Sequence, residues 1–155
     1  MRKNFIPAKL YRKIITLIPI CCVDLVIKMD NSFLLIKRRE NPAKNKWWFP
    51  GGRVLFNENL QSVVKRKLKE ELGIKETKRI EFLGVGETKF KKGKFGKPVH
   101  TINNVFLVEI EKKESKNIEI CPTSTRYKWF NKIQGGFHPY IKTFITKSKK
   151  INDRH

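Results

Sequence analysis

Apolar and polar residues recur along the chain in patterns that predict short strands and a few helices. The clearest helix covers residues 59–72, where apolar residues return every three or four positions and Gly73 follows the last of them. Weaker versions of this pattern predict a helix over 7–16 and a C-terminal helix that begins at Pro139. Apolar and β-branched runs predict strands at residues 20–28, 33–37, 79–86, 102–110 and 126–130.

Two internal segments carry neither pattern and are predicted to be loops. Residues 40–54 contain two prolines and two glycines, and residues 89–98 are basic with two glycines. The tail from Lys147 is polar and is expected to fray. The order of strands, one strong helix, more strands and a last helix predicts an α+β fold with a mixed sheet between helices. A single domain is expected over residues 1–155, with its core at about residues 15–146.

The balance of charge is unusual, because 35 Lys and Arg stand against 14 Asp and Glu, a net charge of +21 over 155 residues. A chain this basic attracts polyanions, which include nucleic acid, acidic membranes and phosphorylated small molecules. Lysine-rich composition also arises as a background property, for example in adaptation to heat. Charge alone therefore leaves the partner open.

Cysteines and hydropathy indicate a reducing, cytoplasmic setting. Cys21, Cys22 and Cys121 are odd in number and include an adjacent pair, which is poor geometry for disulfides. The most apolar stretch, residues 14–27, is too short to span a bilayer and is interrupted by Pro19 and Asp24. No small-residue cleavage site follows it, so neither a membrane span nor a signal peptide is expected.

The helix over residues 59–72 places acidic side chains on or beside its apolar face. On a helical wheel that starts at Leu60, the apolar arc is centred at about 50°, with Glu71 at about 20° and Glu70 at about 280°. A carboxylate on a packed face is costly unless it is paired or binds a metal. The two glutamates could therefore bind a hard cation such as Mg²⁺, or form ion pairs with Arg66 and Lys67 one turn earlier.

The loop before this helix favours a ligand. Pro50-Gly51-Gly52-Arg53 allows a tight backbone approach, and its glycines can present carbonyls to a metal or amides to a phosphate.

Loop and helix together resemble the Nudix box of the Nudix hydrolase family. The family pattern is a glycine, five residues, a glutamate, seven residues and then Arg-Glu-x-x-Glu-Glu-x-Gly. This chain reads GRVLFNENLQSVVKRKLKEELGI from Gly52 to Ile74. The residues that match are Gly52, Glu58, Arg66, Glu70, Glu71 and Gly73. The resemblance covers about residues 15–146 and implies an α/β/α sandwich and a hydrolase that needs Mg²⁺ or Mn²⁺ to cleave nucleoside diphosphates linked to another group.

Lys67 departs from the pattern, since the family has a metal-binding glutamate there. A lysine removes one ligand and adds a positive charge, which weakens attack at phosphorus by several metal ions. The GDP-mannose mannosyl hydrolases also lack that glutamate. The chain is similar to that branch at residues 34–44 (LLIKRRENPAK) and 47–54 (WWFPGGRV). The resemblance implies attack by water on the anomeric carbon, release of a nucleoside diphosphate, and a homodimer.

The same resemblance assigns the phosphate and metal contacts. Arg38 and Arg53 match the two arginines that hold the leaving diphosphate, where a planar guanidinium can grip two oxygens. Glu71 matches the metal-binding glutamate, with a backbone carbonyl of Gly51 or Gly52 beside it. Glu70 is an additional carboxylate for the metal.

Three further residues are candidates for contact with the substrate or the attacking water. Asp24 lies inside an apolar strand and either contacts the nucleotide or sugar, forms a salt bridge or belongs to a protein interface. Trp48 either stacks on the substrate or packs in the core. His100, ahead of a strand, is a tentative base, whereas His138 is expected to be structural.

The general base is the weak part of the resemblance. The branch has a Gln-His pair before a Tyr-x-Trp strand, but Thr123 and Ser124 align there, and neither is a competent base at neutral pH. His100 or Glu87 could serve instead.

Three functions remain open from the sequence. The first is a Mg²⁺-dependent hydrolase of a nucleotide sugar. The second is a Nudix pyrophosphatase that acts on ADP-ribose, a nucleoside triphosphate or capped RNA. The third is a non-catalytic nucleotide or RNA binder, which the charge and the missing base favour.

Overall fold

A computed structural model describes residues 6–152 as a mixed β-sheet flanked by helices, which confirms the predicted fold class. The strands are β1 (Ile20–Met29), β2 (Ser32–Arg38), β3 (Trp47–Trp48), β4 (Gly51–Arg53), β5 (Arg79–Phe90), β6 (Val99–Glu109) and β7 (Ser124–Phe130). The helices are α1 (Ala8–Leu17), α2 (Leu60–Leu72), α3 (Lys112–Ser115) and α4 (Pro139–Asn152). None of the helices within residues 6–152 is long and apolar enough to cross a membrane.

Strand β1 is the centre of the sheet. It pairs in parallel with β6, from Ile20 opposite Thr101 to Lys28 opposite Glu109, and antiparallel with β2 and β4. Strand β5 continues the sheet beyond β6, while β3 and β7 both pair with β2. The parallel pair makes the sheet mixed.

Alternation along β1 directs its side chains to two different cores. Val23, Leu25 and Ile27 pack against α2, whereas Val26 belongs to the cluster formed with α4. By the same alternation Asp24 faces α4 rather than α2. Asp24, a polar residue among apolar neighbours, thus lies on the face of the sheet that α4 covers.

Both ends of α2 are capped, and the end at Gly73 is the one that the sequence predicts. Asn59 Oδ1 accepts a hydrogen bond from Ser62 N, and Gly73 ends the helix in the left-handed region at φ 70°. Packing of the apolar face buries Val63, Leu68 and Leu72 and leaves Glu71 at the edge of the packed face.

Four local expectations differ from the structure. The segment 40–54 contains the short strands β3 and β4. Strand β5 extends into the basic loop as far as Phe90, and β6 begins at Val99, directly after the loop, which contains a short 3₁₀ turn at Lys94–Gly96. Helix α3 was not expected. Over residues 147–152 the predicted tail is helical, because α4 continues to Asn152, with Ser148 buried and Ile151 packed on the core. The rest of the predicted tail, residues 153–155, lies outside the described residues.

Candidate active site

One cavity of about 270 Å³ lies where the loop after β3 meets the start of β6 and the end of α2. It gathers most of the residues that the sequence singled out. These are Asp24, Arg38, Trp48, Gly51, Gly52, Arg53 and Glu71, together with Thr123. Residues separated by up to about a hundred positions in the chain thus form one continuous surface.

Arg66 and Glu58 brace the loop over this cavity. Arg66 donates to Glu58 from Nε at 2.6 Å and from a terminal nitrogen at 2.8 Å, and it also donates to the carbonyl of Arg53 at 3.0 Å. Leu55 N donates to Glu58 Oε2 at 3.0 Å. The hydrogen bonds from Arg66 hold the pKa of Glu58 below its usual value. Glu58 and Arg66, two residues that match the Nudix box, therefore stabilise the loop and do not line the cavity.

Substitution of Arg66 by Gln is expected to lower the free energy of unfolding by about 1–3 kcal/mol, since several charge-assisted hydrogen bonds are lost together. Urea unfolding followed by circular dichroism measures this change. Lys65→Gln, on the exposed side of the same helix, removes the same charge and is expected to have little effect. Equal stability of both variants would contradict the bracing role.

Lys67 occupies the space between the two glutamates at the end of α2. Its Nζ lies 2.9 Å from Glu71 Oε1 and 3.1 Å from Glu70 Oε2. Burial lowers the pKa of Lys67, but the charges of Glu71 and Glu70 outweigh this, and the net pKa is raised. Both ion pairs that the sequence offered as the alternative to metal binding are formed, since Arg66 also pairs with Glu70 at 3.1 Å.

The oxygen ligands at the end of α2 are of the chemical type that a hard cation prefers, but their present arrangement does not suit one. Glu70 and Glu71 supply carboxylates, and Gly52 lies beside Lys67, where an added Cβ would be 2.7 Å from Lys67 Cε. However, Glu71 Oε1 already pairs with Lys67, and Oε2 accepts from Cys121 Sγ at 3.1 Å. Within residues 6–152, no cluster of three or more His, Cys, Asp and Glu could hold a metal. These residues do not fit a divalent ion while Lys67 stays in place.

Asp24 lies at the floor of the cavity, with a side chain that is almost fully buried. Tyr140 donates its hydroxyl hydrogen to Asp24 Oδ2 at 2.7 Å. Burial raises the pKa of Asp24 to about 6, against the opposing effects of this hydrogen bond and of the charge of Arg38. A carboxylate in this setting can accept a proton near neutral pH.

Arg38 lies between the carboxylates and the loop. Its Nε donates to the carbonyl of Pro42 at 2.6 Å. Burial lowers its pKa, and the nearby charges of Asp24 and Glu71 oppose that change. The guanidinium is thus held at the cavity wall close to two acidic groups, where it can meet an anionic substrate.

Trp48 mainly packs in the core. Its ring is stacked on Tyr140 at 5.5 Å between centroids, and it contacts His138 at 5.2 Å. Only 7% of Trp48 is exposed, at the cavity wall. His138 has the structural role expected for it, because its Nδ1 accepts from Tyr140 N at 3.1 Å and caps α4.

His100 is not brought to the cavity. Along β6, Val99, Thr101 and Asn103 line the cavity, so the alternation of side chains directs His100 to the opposite face. It borders a separate apolar groove beside α1 and lies 3.5 Å from the exposed Glu87. Neighbouring residues of a strand face opposite sides of the sheet, and the sequence did not reveal the register in which β6 pairs with β1.

Tyr11 of α1 is among the cavity residues that sequence reasoning did not single out, and Arg53 stacks over its ring at 4.8 Å. Lys94 of the basic loop also lines the cavity. Tyr11 also contacts Phe95 edge-on at 6.4 Å. Helix α1 carried an amphipathic signal, but nothing in the sequence placed it against the loop that holds Arg53.

The fold and the box at Gly52–Ile74 together define a class of protein. Residues 21–139 match the family model described as the NUDIX domain, so the chain belongs to the Nudix family. It is a Nudix hydrolase, and this family acts on small-molecule nucleotide substrates and generally uses Mg²⁺ or Mn²⁺.

Known proteins resemble the chain to different extents. It is 30% identical over 143 residues, covering 90% of the chain and 88% of the relative, to the low-salt glycan biosynthesis protein Agl8 of Haloferax volcanii. It is 45% identical over 56 residues, or 36% of the chain and 33% of the relative, to an ADP-ribose pyrophosphatase of Methanocaldococcus jannaschii. A MutT NUDIX hydrolase structure from Burkholderia pseudomallei matches with a TM-score of 0.68 at 23% identity, covering 84% of this chain and 98% of that one.

Proposed function

We propose that this protein is a Mg²⁺-dependent hydrolase of a nucleoside diphosphate-linked sugar, of the GDP-mannose mannosyl hydrolase type. Water attacks the anomeric carbon, the bond from that carbon to the diphosphate oxygen breaks, and free sugar and nucleoside diphosphate are released. Mg²⁺ would be bound by the diphosphate of the substrate, where it would supply positive charge to the leaving group. The relative named for glycan biosynthesis supports a substrate that contains sugar.

The observation that carries the proposal is the ion pairing of Lys67. In a pyrophosphatase, several metal ions on the box carboxylates activate water and stabilise charge at phosphorus. Here one carboxylate is replaced by an ammonium that pairs with Glu70 and Glu71 at 3.1 and 2.9 Å. Attack at carbon places fewer demands on these carboxylates, because the diphosphate leaves intact.

Arg38 and Arg53 are suited to hold the departing diphosphate. Both line the cavity, one near Asp24 and the other on the glycine loop. Negative charge grows on the bridging oxygen as the bond to the sugar breaks, and fixed guanidinium groups stabilise it.

Asp24 is the better-placed base for the attacking water than His100. The acidic side chains at the cavity surface are Asp24, Glu40 and Glu71 among residues 6–152, and Asp24 lies deepest. Its Oδ2 accepts a hydrogen bond from Tyr140, which fixes the orientation of the carboxylate. The proton of the attacking water would pass to Asp24 as the sugar–oxygen bond breaks.

The second candidate is a pyrophosphatase that acts on ADP-ribose or a related nucleotide. The matching segment of the archaeal ADP-ribose pyrophosphatase favours it, as do the retained Glu58, Arg66, Glu70 and Glu71. Such an enzyme would release a nucleoside monophosphate.

Product analysis separates these candidates. The protein is incubated with Mg²⁺ and a panel of GDP-, UDP- and ADP-sugars, and products are resolved by anion-exchange chromatography and ³¹P NMR. Nucleoside diphosphate with free sugar is expected. Nucleoside monophosphate with sugar phosphate would favour the pyrophosphatase instead.

Tyr11 is expected to matter through its stack with Arg53. Replacement by Ala is expected to raise KM for the nucleotide sugar by about three- to tenfold, since the guanidinium loses a contact of about 1 kcal/mol. Tyr11→Phe retains the ring and is the matched control. Steady-state kinetics on both variants tests this, and equal KM values for Tyr11→Ala and wild type would contradict it.

A further inference from the structure

The ammonium of Lys67 stands where the carboxylates of α2 would otherwise meet a cation. It pairs with both Glu70 and Glu71, and 12% of its side chain is exposed. Glu71 is equally buried, whereas Glu70 is about half exposed. The lysine tip lies beside Gly52, where an added Cβ would come within 2.9 Å of Nζ. A buried cation is thus enclosed by two carboxylates and the glycine loop.

This arrangement leaves little attraction for a second cation. The two carboxylates carry two negative charges, while Lys67 supplies one positive charge and Arg66 supplies another to Glu70 at 3.1 Å. Arg66 is shared with Glu58, so Lys67 is the main counter-charge of Glu71. A divalent ion arriving here would meet carboxylates that are already paired and the repulsion of Lys67 at close range. It would also have to lose part of its hydration shell, which Mg²⁺ gives up reluctantly.

We propose that Lys67 is a built-in cation that holds Glu70 and Glu71 in place and keeps divalent metal ions from binding to them in the free protein. Removal of this one ammonium opens a metal site on the same carboxylates. The inference concerns the protein without substrate, so it does not depend on which nucleotide is hydrolysed. It is compatible with a metal that arrives bound to the diphosphate.

Titration of the full chain with Mn²⁺ tests the proposal, because free Mn²⁺ gives an electron paramagnetic resonance signal that falls on binding. Wild type, Lys67→Gln and Lys65→Gln are compared at equal ionic strength without nucleotide. Lys67→Gln is expected to bind Mn²⁺ at least about tenfold more tightly than wild type, which corresponds to about 1.4 kcal/mol. Lys65→Gln, which removes the same charge from the exposed side of α2, is expected to match wild type.

Two further variants keep the result interpretable. Glu71→Gln added to Lys67→Gln is expected to abolish the gained affinity, which locates the ion at this carboxylate. If Lys67→Gln folds poorly, Lys67→Glu is tested by thermal unfolding, where Mn²⁺ is expected to raise Tm for the variant and not for wild type. Equal Mn²⁺ affinity in wild type and Lys67→Gln, or an equal Mn²⁺-induced rise in Tm in wild type and Lys67→Glu, would overturn the proposal.

Discussion

Replacement of Glu71 by Gln is expected to lower kcat/KM on the nucleotide sugar by about 10²- to 10³-fold, the range found when one preorganised electrostatic contact is lost. Glu71 is 12% exposed, lines the cavity and is held from both sides, by Lys67 at 2.9 Å and by Cys121 Sγ at 3.1 Å. A neutral amide of the same shape cannot balance the charge of Lys67, which then loses its buried ion-pair partner beside the cavity. Steady-state kinetics with Mg²⁺ present measures the loss.

Two matched variants serve as controls for this result. Glu70→Gln removes a carboxylate that is 49% exposed and is expected to cost tenfold or less, while Glu76→Gln changes an exposed residue beyond the helix and is expected to be neutral. Circular dichroism verifies that each variant is folded. Full activity in folded Glu71→Gln would contradict the role of this carboxylate.

Asp24→Asn is expected to change how stability depends on pH. Burial raises the pKa of Asp24 from about 3.8 to about 6, so between these values the folded protein holds a proton that the unfolded chain releases. Wild type therefore loses stability as pH rises through this window, by about 3 kcal/mol in total from this group. Asn carries no charge at any pH, so its stability relative to wild type is expected to improve by about that amount between pH 4 and pH 8.

Urea unfolding at a series of pH values measures this shift. Asp30→Asn, in the exposed turn after β1, is the control, because it removes the same charge without burial. The same Asp24→Asn protein is expected to lose most of its hydrolase activity if Asp24 is the base. If the free energies of unfolding of wild type and Asp24→Asn changed with pH in parallel, a raised pKa of Asp24 in the folded protein would be contradicted.

Elements with strong local signals were predictable from the sequence. Helix α2 was placed to within one residue at its start, because its apolar residues recur at helical spacing and Gly73 marks its end. The burial of Glu71 followed from the same periodicity. The other residues of the Nudix box were identified from the family resemblance. That resemblance also predicts that Arg53 and Glu71 belong to one site, and both residues line the same cavity.

Features that depend on tertiary placement were not predictable. His100 and Thr101 are adjacent in the chain, and the register in which β6 pairs with β1 decides which of them faces the cavity. The stack between Tyr11 and Arg53 joins α1 and β4, and no pattern in the sequence predicts that these two elements are in contact. Lys67 could be identified as a departure from the family pattern, but whether it pairs with Glu70, with Glu71 or with both depends on side-chain geometry.

The position of bond cleavage is the most direct test of the proposed reaction. The protein is incubated with Mg²⁺ and its best nucleotide sugar in water enriched in ¹⁸O, and the products are analysed by mass spectrometry. Attack at the anomeric carbon predicts ¹⁸O in the free sugar and an unlabelled nucleoside diphosphate. Label in a phosphate group of the products would contradict the account and identify attack at phosphorus.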